Sequence, residues 1–129
     1  MSEDRLSLRG VVCRCRIGVT DEERREPQEI EVDVDLILDL TEAGRAGAIE
    51  RTLDYREVCQ AVRGLLEGTA FRLIEAAASG TLDLLLERYT VRRAVVRVRK
   101  FILPNVRHVE VQMERARARG SAPGGIDGG

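Results

Sequence analysis

The chain has 129 residues, of which 43% are hydrophobic and 33% charged, and its formal net charge at pH 7 is -1. This length is typical of one domain with a single core, and the balanced charge argues against nucleic acid or an anionic membrane as partner, because both select basic surfaces. No apolar segment approaches the ~20 residues of a membrane span, and the N-terminus is not a secretory signal. We therefore expect a cytoplasmic protein.

The three cysteines argue against both a disulfide framework and a metal site. Cys13, Cys15 and Cys59 are an odd number and form no C-x-x-C motif, so we expect reduced thiols that pack in the interior. His108 is the only histidine, which leaves a zinc ion without a plausible set of ligands. The sequence predicts no metal.

Two strands are predicted in the first part of the chain. Over residues 6–17 apolar residues alternate with arginines, and a break near Gly10 indicates a β-bulge. Over residues 30–40 apolar residues alternate with acidic ones, which is typical of a long antiparallel strand with one solvent-exposed face. The charged segment 20–28 between them is expected to be a polar connection.

Two helices and two strands are predicted to follow. Asp54 and Glu57 have the spacing of a capping box before an apolar stripe that ends near Gly68. A second helix is expected over about residues 72–89. Strands are then expected over 94–101 and 106–115.

The resulting order, ββααββ, indicates an α+β fold in which an antiparallel sheet carries both helices on one face. The domain is expected to span residues 1–115, and the tail 116–129 is expected to be disordered because it has little to bury. The two open edges of such a sheet favour oligomerisation by edge pairing.

Lys100 is the only lysine among 21 lysine and arginine residues. In the predicted strand it shares a face with Ala94, Val96 and Val98, so its ammonium ends an apolar row and is expected to point toward covered space. A partly buried lysine can exchange protons near neutral pH, whereas an arginine stays charged. The structural alternative is a lysine that extends from a strand end into solvent.

Five short motifs occur in the order and spacing found in one known enzyme family. They are Ile17-Gly18-Val19 with Glu23-Arg24 and Pro27-Gln28, then Thr52-Leu53-Asp54-Tyr55, Phe71-Arg72-Leu73-Ile74-Glu75, Lys100, and the strand 109–115. Over about residues 5–115 the chain resembles the dihydroneopterin aldolase family. The likeness rests on all five motifs together, since each one alone is common.

The resemblance implies the tunnelling fold (T-fold), in which subunits join their sheets into a barrel as homotetramers or homo-octamers. It also implies a lyase that needs neither metal nor cofactor and takes a small pterin as substrate. Family members cleave 7,8-dihydroneopterin into 6-hydroxymethyl-7,8-dihydropterin and glycolaldehyde in folate biosynthesis. The alternatives are a dihydroneopterin or dihydroneopterin triphosphate epimerase and a non-catalytic T-fold protein that binds a pterin or purine.

The resemblance assigns catalytic roles to three residues. Glu23 would order the substrate hydroxyls and a water, Lys100 would transfer protons, and Tyr55 of a neighbouring subunit would assist protonation of the enamine intermediate. From the residues alone, Glu23 could be solvated, with Glu22 as an alternative match, and Tyr55 could be a packing residue.

The resemblance implies that the substrate is bound by Glu75, Ile74, Leu53 and Tyr55. The Glu75 carboxylate would anchor the pterin by accepting the two parallel N–H donors of the ring edge. A carboxylate at a helix start is the alternative for Glu75. The chain departs from many members at Ile17, where they have histidine, and in the loop 101–107, which lies near the expected side-chain end of the substrate.

Overall fold

The computed structural model describes residues 2–118, which contain five strands and four α-helices. The strands are β1 (Asp4–Ile17), β2 (Gln28–Leu38), β3 (Ala70–Phe71), β4 (Arg93–Lys100) and β5 (Val109–Ala116). The helices are α1 (Asp21–Arg25), α2 (Thr41–Ala46), α3 (Tyr55–Gly68) and α4 (Ile74–Arg88), and a 3-10 helix covers Ile49–Arg51. The four long strands and the two long helices thus follow the predicted order.

All five strands form one sheet in the order β3-β1-β2-β4-β5. β1, β2, β4 and β5 are antiparallel neighbours, as their alternation predicts, whereas β3 pairs in parallel with the end of β1. The predicted bulge is confirmed, because the register of β1 shifts between Leu8 and Val11. Gly10 lies in this bulge with a φ of 68°, a conformation that a residue without a Cβ adopts readily.

One face of the sheet packs against α3 and α4 to form the core. Alternate strand residues such as Val32, Val34 and Val96 are fully buried there, and each such side chain contributes roughly 1.5–3 kcal/mol through burial. The helices contribute Val58, Val62 and Leu66 from α3 and Ala77, Ala78, Leu82 and Leu85 from α4. Asp54 caps α3 as predicted, accepting the backbone N–H of Arg56 at 3.0 Å.

The opposite face of the sheet carries a network of ion pairs. Asp35 is fully buried and lies 3.0 Å from guanidinium nitrogens of both Arg9 and Arg97. Asp33 accepts two hydrogen bonds from Arg99, at 2.7 and 2.8 Å. The bonds from Arg99 lower the pKa of Asp33 to about 2 against the opposing effect of burial. These partners are needed, because an unpaired buried charge would strongly destabilise the fold.

The three cysteines are free thiols, and Cys13 and Cys15 are buried in the core. Burial raises the pKa of both thiols to about 11, so they pack as small uncharged side chains. Within residues 2–118 no cluster of three or more His, Cys, Asp or Glu side chains is arranged to hold a metal ion. None of the helices in that range combines the length and apolar content needed to cross a membrane.

The predicted ββααββ order was incomplete, and so was the prediction of a purely antiparallel sheet. The connection 20–28 contains α1, the loop around Gly44 contains α2, and β3 adds a parallel pair. β5 also extends one residue beyond the predicted domain boundary, to Ala116, and Arg117 donates a hydrogen bond to the carbonyl of Tyr89 at 2.6 Å. Residues 119–129 of the predicted tail lie outside the described residues.

Candidate active site

A lysine and a glutamate meet at one end of the sheet. Lys100 is the last residue of β4, and only 12% of its side chain is exposed. Ala94, Val96 and Val98 on the same face are fully buried, so the predicted orientation of the lysine is confirmed. Its Nζ lies 3.5 Å from Oε2 of Glu23, 77 positions away in the chain. Such a pair can exchange protons with a hydroxyl group that binds beside it.

Glu23 lies in the short helix α1 and is held by the turn before it. Its Oε1 accepts the backbone N–H of Val19 at 3.1 Å, and Thr20 caps the helix by accepting the N–H of Glu23 at 3.1 Å. Gly18 faces the same side chain, and a Cβ built there would lie 2.4 Å from the Cβ of Glu23. Only glycine fits at this position, because real Cβ contacts do not come so close.

Two polar side chains fix the carbonyl groups of this turn. Nη1 of Arg24 donates to the carbonyl oxygens of Gly18 and Val19, at 2.7 and 3.0 Å. Nε2 of Gln28 donates to the carbonyl of Ile17 at 2.7 Å. The sequence alone gave neither Arg24 nor Gln28 a role. The only sign of their importance was that both belong to the first of the five family motifs.

The start of α4 brings Glu75 and Ile74 to the same end of the domain. α4 follows β3 after two residues, and the N–H of Gly18 donates to the carbonyl of Phe71 at 3.0 Å. Glu75 is exposed and makes no side-chain hydrogen bond or ion pair with any residue in the range 2–118, while Ile74 packs partly against the core. The carboxylate of Glu75 is therefore accessible to a ligand, although its place in the first turn also suits the helix dipole.

Tyr55 and Leu53 lie at the other end of α3. This helix ends at Gly68, one residue before β3. Its 14 residues extend about 20 Å at 1.5 Å per residue. Tyr55, at the first helical position, is 53% exposed, and Leu53 packs partly against the core. A single chain thus brings Glu23 and Lys100 to the end at which α4 begins, but it does not bring Tyr55 or Leu53 there.

The segment after Lys100 presents an apolar surface beside the lysine. Phe101, Ile102, Leu103 and Val106 are between 43% and 52% exposed. Apolar side chains at the rim of a site exclude water from a bound ligand and contact its flat faces. This loop follows Lys100 directly in the chain and is therefore a candidate rim of the site.

Comparison with known proteins decides the family. The model of the FolB family, dihydroneopterin aldolase, matches residues 6–114. The chain belongs to the dihydroneopterin aldolase family. Relatives called dihydroneopterin aldolase include a Haemophilus influenzae protein, 30% identical over 97 residues, and a Streptomyces coelicolor protein, 32% identical over 97 residues. Each of these alignments covers 75% of this chain and 82% of the relative.

One of the proteins similar to this chain has a different activity. The dihydroneopterin triphosphate 2'-epimerase of Pseudomonas aeruginosa is 29% identical over 96 residues, which cover 74% of this chain and 78% of the epimerase. Dihydroneopterin aldolases and an epimerase therefore lie at similar distances from this chain in sequence.

Solved structures of the dihydroneopterin aldolase family share the fold. A FolB protein of Vibrio cholerae superposes with a TM-score of 0.86 at 30% identity, over 91% of this chain and 100% of that chain. The Escherichia coli dihydroneopterin aldolase, crystallised with neopterin, gives a TM-score of 0.84 at 24% identity, over 88% of this chain and 99% of that chain. The predicted α+β fold of this family is thus confirmed.

Proposed function

We propose that this protein is a dihydroneopterin aldolase that cleaves 7,8-dihydroneopterin into 6-hydroxymethyl-7,8-dihydropterin and glycolaldehyde, a step of folate biosynthesis. The observation that carries the proposal is the Glu23–Lys100 pair, whose charged atoms are 3.5 Å apart at one end of the sheet. The family match over residues 6–114 and relatives of that name at 30% and 32% identity support the same reaction.

Glu75 is the proposed anchor for the pterin ring. The ring edge offers an N–H beside an exocyclic amino group, and a carboxylate can accept both donors in parallel. The exposed carboxylate of Glu75 is free for this bond, since it has no side-chain partner within residues 2–118. Ile74 beside it offers an apolar contact for the ring face.

The reaction requires binding and proton transfer from the protein. A base removes the proton of the C2' hydroxyl, the C1'–C2' bond breaks, and glycolaldehyde leaves while the electron pair of that bond moves into the N5=C6 imine of the ring. The resulting enamine takes up a proton at C1' and becomes the hydroxymethyl product. Because the ring accepts the electrons, the tasks of the protein are orientation and acid–base catalysis.

Glu23 and Lys100 are the residues proposed to handle these protons. The Glu23 carboxylate orders the substrate hydroxyls and a water molecule, and the side-chain nitrogen of Lys100 accepts the proton of the C2' hydroxyl as the C1'–C2' bond breaks. Tyr55 assists protonation of the enamine. It acts from a neighbouring copy, since α3 separates it by about 20 Å from the end of the domain that holds the other two groups.

We infer that the protein forms a T-fold barrel as a homotetramer or homo-octamer, with Tyr55 and Leu53 completing the site of a neighbour. The sheet edges support this assembly: among residues 2–118, β5 pairs on one side only, and β1 pairs with β3 over just two residues. Unpaired edges of this length favour pairing with another copy. The three free thiols favour the cytoplasm as its location.

The direct test is to incubate the purified protein with 7,8-dihydroneopterin and separate the products by chromatography. Both 6-hydroxymethyl-7,8-dihydropterin and glycolaldehyde are expected, with Glu75→Gln as the control that weakens substrate binding. An epimer of the substrate as sole product would instead assign the chain to the epimerases. Glu75-dependent binding without any product would make it a non-catalytic pterin-binding protein.

A further inference from the structure

We propose that Arg24 is a positioning residue for the cleavage reaction, because its guanidinium fixes the turn that directs Glu23 toward Lys100. This inference rests on the function proposed above for Glu23 and Lys100. α1 has only five residues, too few for a helix to persist by itself in water. The position of Glu23 must therefore be set by contacts from outside the helix.

Arg24 supplies these contacts through two backbone carbonyl groups. Its Nη1 donates to Gly18 at 2.7 Å and to Val19 at 3.0 Å, and its Nη2 pairs with Asp21. Only 15% of the side chain is exposed, so the guanidinium is enclosed by the turn that it holds. With the Gly18 and Val19 carbonyls fixed, the N–H of Val19 is directed at Oε1 of Glu23, 3.1 Å away.

The two oxygens of the Glu23 carboxylate have different partners. Oε1 is occupied by the backbone, which leaves Oε2 facing Lys100 at 3.5 Å. The terminal torsion of a glutamate has a broad energy profile, and 36% of this side chain is exposed. A carboxylate without the backbone bond would therefore rotate and spend part of its time in solvent, away from Lys100.

The other end of α1 is held independently of the Arg24 side chain. Nη1 of Arg16 donates to the carbonyl oxygens of Arg24, at 3.2 Å, and of Arg25. Removing the Arg24 guanidinium thus loosens the turn while it leaves this second attachment in place. Arg25 is exposed, and its side chain makes no hydrogen bond or ion pair with the described residues, which makes it the matched control.

The test is a double-mutant cycle on the full chain with 7,8-dihydroneopterin as substrate. The kcat and KM of cleavage are measured for wild type, Arg24→Gln, Glu23→Gln and the double variant, with Arg25→Gln as the control. Misplacing a catalytic group by about 1 Å costs up to ~10²-fold, so Arg24→Gln is expected to lower kcat about 10- to 100-fold with a small change in KM. In the Glu23→Gln background the same substitution should change kcat by less than about twofold, because its target is absent.

Equal losses from Arg24→Gln in both backgrounds would overturn the inference, since the arginine would then act on the fold as a whole. Unchanged kcat in Arg24→Gln, with Glu23→Gln inactive, would overturn it while leaving the proposed function intact. Full activity in Glu23→Gln would remove the proposed role of Glu23 itself and the inference with it. If Arg24→Gln does not fold, Arg24→Lys, which keeps the charge but not the planar guanidinium, is taken through the same cycle and judged by the same outcomes.

Discussion

At Lys100, a single substitution can keep the positive charge and remove the capacity for proton transfer. Arginine at this position keeps a cation beside Glu23 but cannot give up a proton near neutral pH. The side chain lies at a strand end with 12% of its surface exposed, so the longer guanidinium can reach solvent. We expect Lys100→Arg to fold and assemble as wild type and to lose cleavage by about 10²-fold or more, measured as kcat.

The control for this variant is Arg25→Lys, which makes the reverse exchange at an exposed arginine whose side chain has no partner among the described residues. It should leave cleavage unchanged, and circular dichroism should show the same melting temperature for both variants and wild type. Nearly full activity in Lys100→Arg would show that the position needs only a positive charge, and proton transfer by Lys100 would then be wrong.

At the scale of a helix, Gly64 in the middle of α3 has open space where a Cβ would lie. Alanine is favoured over glycine in a helix interior by roughly 0.5–1 kcal/mol, so Gly64→Ala should raise the free energy of unfolding by that amount without changing cleavage. Gly18→Ala is the matched contrast, because its Cβ would lie 2.4 Å from the Cβ of Glu23. Gly18→Ala would contradict the close packing of this turn if it were as stable as wild type in urea denaturation and as active in the cleavage assay.

The ion pairs on the face of the sheet opposite α3 and α4 make the stability of the fold depend on pH. Hydrogen bonds from Arg99 hold the pKa of Asp33 at about 2, below its ordinary value of 3.8. The unfolded chain therefore binds the proton first as the pH falls, and Asp33 stabilises the fold fully above about pH 4 and loses this effect as the pH falls through about 2. The effect corresponds to about 2 kcal/mol of unfolding free energy.

Asp33→Asn isolates this contribution. The difference in the free energy of unfolding between wild type and Asp33→Asn should be large near pH 5 and smaller by about 2 kcal/mol near pH 2, as measured by urea denaturation at both values. A difference that is the same at both pH values would show that the Asp33 carboxylate does not lose stabilising charge in this window.

The long elements could be predicted from the sequence because their periodicity repeats. The alternation in β1 and β2, the bulge at Gly10 and the cap at Asp54 are all local patterns, and the structure contains each of them. α1, α2 and β3 have five, six and two residues, too few for a period to appear. α1 is held by the contacts of Arg24, and β3 by the pairing of Phe71 with Ile17. Thr20 and Glu23 do have the spacing of a capping box before α1.

At the scale of the whole molecule, the candidate site could be predicted only in part. Glu23 and Lys100 are 77 positions apart, and their meeting depends on how β1, β2 and β4 align, so only the family resemblance connected them. The lone lysine itself was a signal from composition. Arg24 and Gln28 were missed because their partners are backbone carbonyls, which carry no mark in a sequence.

The central claim is that a site is built from Glu23 and Lys100 of one copy and Tyr55 of another. A mixture of inactive variants tests it directly: Lys100→Arg and Tyr55→Phe are each purified, confirmed to be inactive, then unfolded together in equal amounts and refolded. Random mixing in a symmetric oligomer gives about a quarter of the sites an intact Lys100 and an intact Tyr55, so about a quarter of wild-type cleavage should return. No recovery in mixed oligomers of confirmed mass would contradict the shared site and place all the catalytic groups within one chain.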